Sequence, residues 1–124
     1  MSWRGIRGAT SVEENDKAAI LGATQELLST MCARNHIAVE NIVSVFFTVT
    51  PDLNAAYPAQ AARRIGWQQT PLICAADMDV PGSLPRCVRV LMHADLNCSI
   101  DEVRHVYLGD ARSLRPDWSQ EDSA

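Results

Sequence analysis

The pattern of hydrophobic and polar positions changes period several times along the chain, and each change marks an element. Residues Trp3 to Ala9, punctuated by Gly5 and Gly8, read as a first extended strand. Ile20, Leu27, Leu28 and Met31, with Thr24 between them, then recur at the spacing of one face of a 3.6-residue helix. Asn15 or Asp16 is placed to cap that helix, which should fade near Asn35 and His36. Ile42 to Val49, IVSVFFTV, is the strongest strand signal. It should carry Val43, Val45, Phe47 and Val49 on one face and Ile42 and Phe46 on the other, so both faces should be covered. Pro58 suits the first turn of a short helix running through Arg64, with Gly66 as its stop. Pro71 to Cys74 reads as a short strand, and Pro81-Gly82 as a turn. Arg86 to Ala94 is a further strand, with Val88, Val90 and Met92 on one face and Cys87, Arg89, Leu91 and His93 on the other. Ser99 to Glu102 fits a capping box opening a short third helix, and Val106 to Leu114 reads as the last strand.

These elements predict an α/β (α+β-like) domain, a five-stranded mixed sheet with helices packed on it. Three helices, two of them short, are too few to cover both faces, so partner subunits are expected to cover the rest. The 124 residues suffice for one core, taken as residues 1–115, followed by a flexible polar C-terminal tail over 116–124.

Charge narrows the function classes. Fifteen acidic against 11 basic residues give a net charge of −4, the wrong sign for a dedicated nucleic-acid binder. Lys17 is the only lysine, and the other basic residues are arginines. Base composition of the gene accounts for such a bias, and so does recognition of carboxylate or phosphate by the planar guanidinium fork. No apolar run approaches the ~20 residues that span a bilayer, and no apolar leader follows the charged start. Cys32, Cys74, Cys87 and Cys98 form no CxxC pair, and His36, His93 and His105 no HxxxH pair. A cytoplasmic protein is therefore expected, with no metal, no cofactor, no nucleic acid and no membrane partner.

Familiar catalytic constellations have no motif spacing here. His93 and His105 read as structural histidines, Cys74 and Cys87 as small buried hydrophobes, and Cys32 as core or helix surface. Asp77 and Asp79, flanking Met78, are either solvated loop carboxylates or a general acid and base. The arginines carry more information. Arg4 and Arg7 punctuate the first strand, Arg63 and Arg64 follow one another on the short helix, and Arg115 sits at the edge of the tail. Arg89 lies mid-strand among Val88, Val90 and Leu91, where a guanidinium is costly unless it is ion-paired or faces a polar cleft. It therefore either pairs with an Asp or Glu or binds an anionic small molecule. Residues alone define an oligomeric domain with an arginine-lined, carboxylate-seeking pocket.

Eight separated segments match a known family in order, from about residue 3 to 117. They are Arg4-Gly5-Ile6-Arg7-Gly8-Ala9-Thr10, Thr50-Pro51-Asp52-Leu53-Asn54-Ala55, Pro58-Ala59, Gly66-Trp67-Gln68, Met78-Asp79-Val80, Cys87-Val88-Arg89-Val90-Leu91-Met92, His105-Val106-Tyr107-Leu108 and Leu114-Arg115-Pro116-Asp117. In these the chain resembles the monofunctional, trimeric α/β class of chorismate mutase. The resemblance implies a homotrimeric pseudo-α/β-barrel with active sites between subunits. It also implies the Claisen rearrangement of chorismate to prephenate, a unimolecular reaction that needs no nucleophile, metal or cofactor.

By the same resemblance, Arg89 is the arginine at the ether oxygen, and Arg7 and Tyr107 serve the enolpyruvyl carboxylate. Cys74 lies near the ring hydroxyl, Tyr57 on the pocket wall where phenylalanine is usual, Arg63 at the rim, and Leu114 and Arg115 in the tail segment approaching the ligand. Two positions depart from the pattern. Asp77 stands where a glutamate accepts from the ring hydroxyl, and it is shorter by about 1.5 Å. Gln60 stands where a lysine is usual, which removes a positive charge from the rim. The alternatives are a paralogue acting on a related enolpyruvyl ether such as isochorismate, a low-activity anion-binding trimer, and, by fold analogy alone, an imine/enamine deaminase trimer.

Overall fold

Helix α1 (Lys17–Asn35) shows how local chemistry sets an element's limits. The Asp16 side chain accepts from the Ala19 amide at 2.7 Å and caps the start. At the other end His36 turns left-handed at φ 53° and its amide bonds back to the Cys32 carbonyl. The buried face is Ile20, Leu21, Thr24, Leu27, Leu28 and Met31, the anticipated stripe plus Leu21. Thr24 is tolerated there because its hydroxyl donates to the Ile20 carbonyl at 2.7 Å.

A computed structural model describes residues 2–114. Around α1 it contains β1 (Ser2–Ser11), β2 (Ile42–Val49), helix α2 (Ala59–Arg64), β3 (Leu72–Ala76), β4 (Cys87–Leu96) and β5 (Val106–Leu108). The five strands form one sheet in the order β3-β2-β4-β1-β5. β4 runs antiparallel to β1 and β2, while β1–β5 and β2–β3 are parallel, so the sheet is mixed as expected. The core lies between α1 and one face of the sheet, with Leu27, Leu28 and Met31 meeting Ile6, Val45, Phe47, Val90, Met92 and Val106. Each such side chain contributes roughly 1.5–3 kcal/mol when fully buried. Gly8 permits the close approach, since a Cβ there would lie 2.5 Å from the Met31 sulfur.

Three expectations change. The last strand ends at Leu108, because Gly109 takes φ +58° and residues Gly109–Ser113 form a 3-10 turn. The capping box of Ser99 and Glu102 forms but opens only one 3-10 turn, Ile100–Glu102. In β2 a bulge between Ile42 and Ser44 moves Ile42 onto the same buried face as Val45 and Phe47. Within one chain the outer face of β2 stays open, and it is this face that partner subunits were expected to cover.

That face carries Phe46, Ile73 and Leu91, which are 44%, 55% and 37% exposed. It is closed at one end only, where the turn after β5 packs Ala111 with Ala9, Cys87 and Tyr107. No helix among the described residues is long and apolar enough to cross a membrane. The expected tail, residues 116–124, and Arg115 lie outside the described residues.

Candidate functional site

One rung of the sheet organises the first group of residues. Cross-strand register puts Ala75, Thr48, Arg89, Ala9 and Tyr107 side by side on β3, β2, β4, β1 and β5. The pleat turns them toward the outer face that α1 leaves free. Arg7, two residues before Ala9, lies on the same face opposite Leu91. Its amide donates to His105 Nδ1 at 2.9 Å, which ties the approach to β5 to the first strand.

Arg89 has found the acidic partner that a mid-strand guanidinium requires. Its Nε lies 3.1 Å from Asp77 Oδ2, with side chains 39% and 18% exposed. At Nε the contact is one of charge, since this buried N–H has no aligned hydrogen-bond acceptor. Asp77 is held from three sides. Its amide donates to the Val49 carbonyl at 2.8 Å, its Oδ1 accepts from the Met78 amide at 2.9 Å, and its Oδ2 accepts from the Thr48 hydroxyl at 3.3 Å. Of the two loop acids flanking Met78, Asp77 is thus an ordered partner, while Asp79 is exposed.

The start of β4 is fixed by Asp52. This carboxylate accepts from the Thr50 hydroxyl at 2.5 Å and from the Arg86 amide at 3.0 and 3.2 Å. The Thr50 bond is the main cause that holds the Asp52 carboxyl below its ordinary range; burial opposes it, and the Arg86 contacts add to the lowering. Thr50 in turn accepts from the Cys87 amide at 2.9 Å. Arg86 takes the left-handed φ of 47° that this clamp requires, and its Nε donates to the Val12 carbonyl. Arg89 therefore stands three residues past a rigid anchor.

Tyr107 is 1% exposed and packs with Ala9, Cys87 and Ala111. Leu84, before β4, and Leu114, after β5, pack against this cluster. Burial pushes the Cys87 thiol up, with the Arg89 charge opposing. Cys87 is therefore the buried hydrophobe that was expected.

The second group sits at the other edge of the sheet. A cleft of about 560 Å³ is lined by Tyr57, Gln60, Cys74 and Lys17 among others. A neighbouring hollow of about 320 Å³ adds Arg63 to Tyr57 and Cys74. Cys74 is half-buried and pairs in register with Phe47, so it belongs to the helix-covered face; burial raises its thiol pKa. Asn15 holds the cleft's loop: its Oδ1 accepts from the Asn54 and Ala55 amides at 3.0 and 3.1 Å, and its Nδ2 donates to Asn54 Oδ1 at 2.8 Å.

The anticipated residues thus fall into two sets. Arg7, Arg89, Asp77, Tyr107 and Leu114 gather around the outer face and its closed end, while Tyr57, Gln60, Arg63 and Cys74 gather at the β3 edge. Sequence reasoning missed Thr48, Thr50 and Asp52 as supports, and it missed Lys17 as a cleft residue. Asn15 was noticed only as a possible cap. Lys17 alone left a signal, as the only lysine standing at a helix N-terminus where a cation is disfavoured.

The domain thus carries Arg7 and Arg89 on its open sheet face and, at the β3 edge, a cleft lined in part by Lys17. The family model for chorismate mutase type I matches residues 3–118. Curated relatives include the chorismate mutase AroH of Thermus thermophilus, 52% identical over 115 residues that cover 92% of this chain and 94% of that protein. The chorismate mutase AroH of Bacillus subtilis is 44% identical over 120 residues, covering 96% and 94%. Among solved structures, a chorismate mutase from Clostridium thermocellum superposes with a TM-score of 0.88 at 45% identity, covering 89% of this chain and 98% of that one. The chain belongs to the chorismate mutase type I family.

Proposed function

We propose that this chain rearranges chorismate to prephenate by holding the substrate folded and stabilising the charge that develops as its ether bond breaks. The observation that carries this reading is Arg89, a permanent cation on the open sheet face, its side chain 39% exposed beside Asp77. The reaction is unimolecular: the ether C–O bond breaks as a C–C bond forms, and no proton has to move. Folding the enolpyruvyl arm over the ring removes much of the entropic barrier. A guanidinium at the ether oxygen meets more negative charge in the transition state than in the ground state, which is the condition for acceleration. Arg7 and Tyr107 serve the enolpyruvyl carboxylate in this scheme. Tyr57, Gln60, Arg63 and Cys74 supply wall and rim, and Arg115 is expected to approach from the tail.

The spread of the two sets within one copy supports a site shared between copies. β1 and β3 are three strand spacings apart, about 14 Å at ~4.8 Å per spacing. Cys74 also belongs to the face opposite Arg89. A second copy bringing its cleft to the first copy's arginines completes the site, and the exposed Phe46, Ile73 and Leu91 support such an assembly. We read it as a homotrimer. Four unpaired cysteines support a cytoplasmic setting.

Loss of chorismate absorbance on adding purified protein tests the activity, and no acceleration would refute it. Sedimentation of the same sample should give a trimer, while Phe46→Glu should give slower, inactive particles. One observation favours isochorismate as a second reading: Asp77, expected to read the ring hydroxyl, is turned onto Arg89. The larger kcat/KM of the two substrates decides between them.

A further inference from the structure

The outer rung places Thr48 directly opposite Arg89, and both side chains converge on the same carboxylate oxygen. Thr48 Oγ1 donates to Asp77 Oδ2 at 3.3 Å, and Arg89 Nε stands 3.1 Å from that oxygen. Arg89 makes no aligned hydrogen bond through Nε, and the charge beside that nitrogen is Asp77. The position of that charge depends on what holds the carboxylate. The Met78 amide fixes Oδ1, which sets the hinge of the carboxyl group. Of the hydrogen bonds described, only the Thr48 hydroxyl fixes the oxygen that faces the arginine.

We infer that Thr48 is a positioning residue for the rearrangement: through Asp77 Oδ2 it sets where the Arg89 guanidinium points. The inference rests on the proposed role of Arg89 and adds a residue that does not touch substrate. Thr48 is half-buried on a strand, so Thr48→Val keeps shape and strand propensity and removes only the donor, while Thr48→Ser keeps the donor. A misplacement of ~1 Å at a reacting centre can cost on the order of 10²-fold, and a loosened charge pair displaces the cation by less than that. Thr48→Val should therefore lower kcat about tenfold with KM within about twofold, because the interaction it weakens is made in the transition state. Thr48→Ser should restore most of the loss. With Asp77→Asn already present, Thr48→Val should add nothing, since the relay is then already broken.

A readout independent of turnover separates this inference from the proposed activity. The Nε–H resonance of Arg89, assigned by its disappearance in Arg89→Lys, should be sharp in the parent and in Thr48→Ser and broadened in Thr48→Val. Four results would each overturn the inference: an unchanged kcat in Thr48→Val, an equal loss in Thr48→Ser, additive losses with Asp77→Asn, or an unchanged Arg89 resonance in Thr48→Val. Should the parent prove inactive on chorismate, the proposed function fails, and the resonance still decides whether Thr48 orders the arginine.

Discussion

Replacing Arg89 by alanine has a cost that separates into two parts. The first is the attraction removed from the transition state. A unit positive charge about 3 Å from an oxygen that gains roughly half a negative charge is worth about 3 kcal/mol at an effective dielectric of about 20. That corresponds to about 10²-fold in kcat. The second part arises because Asp77 stays behind. Its carboxylate, 18% exposed and 3.1 Å from the missing Nε, loses its counter-ion. A ligand carboxylate about 6 Å from it would be repelled by about 3 kcal/mol at the same dielectric. This repulsion falls on binding and should appear in KM. Together the two parts predict a loss of about 10⁴-fold in kcat/KM for Arg89→Ala. They also predict a rescue: adding Asp77→Asn should recover about 10²-fold of kcat/KM by removing the repulsion, while kcat stays low. Steady-state chorismate consumption measures both, with far-ultraviolet circular dichroism to confirm folding. The reasoning is refuted if a folded Arg89→Ala variant stays within tenfold of the parent, or if adding Asp77→Asn deepens the loss.

Three further outcomes follow from other parts of the structure. Lys17→Gln removes the cation that lines the cleft beside Gln60, so KM should rise about threefold with kcat little changed, and KM should depend less on added salt. Gly8→Ala puts a Cβ 2.5 Å from the Met31 sulfur and 3.2 Å from Leu27 Cδ1. Overpacking of that kind costs roughly 1–3 kcal/mol, which a melting curve should show as a fall of several degrees in Tm. Asp52→Asn probes the anchor of β4. The folded-state pKa of Asp52 is depressed, so its contribution is complete above the ordinary carboxylate range and is lost as pH falls through the folded value. The gap in Tm between parent and Asp52→Asn should be wide at neutral pH and close as pH drops below about 4.

The sheet was legible in the sequence because most of its strands are short-range statements. IVSVFFTV has no good helical reading, and β2 occupies those eight residues, Ile42–Val49. Helix α1 was legible for the same reason, with its cap narrowed to Asn15 or Asp16 and its end placed near Asn35 and His36. What failed depended on partners distant in sequence. Gly109 ends β5 early because Ser11, on another strand, occupies the space a Cβ would need and accepts from the Asp110 amide at 2.9 Å. The bulge at Ile42/Ser44 is a matter of register against β4, and no periodicity within β2 records it.

The site divides along the same line. Arg89 could be singled out from sequence because a guanidinium among Val88, Val90 and Leu91 conflicts with its surroundings, and such a conflict requires a partner. The partner's identity was not local information. Asp77 reaches Arg89 only because β3 pairs in parallel with β2, which carries the residue after β3 back alongside Thr48, 29 positions earlier. A hydroxyl in an apolar strand raises no conflict, since threonine suits a pleated surface. Thr48 was therefore silent for the reason that made Arg89 conspicuous: sequence patterns expose residues that cost free energy where they stand, and conceal those that lower the cost for a neighbour.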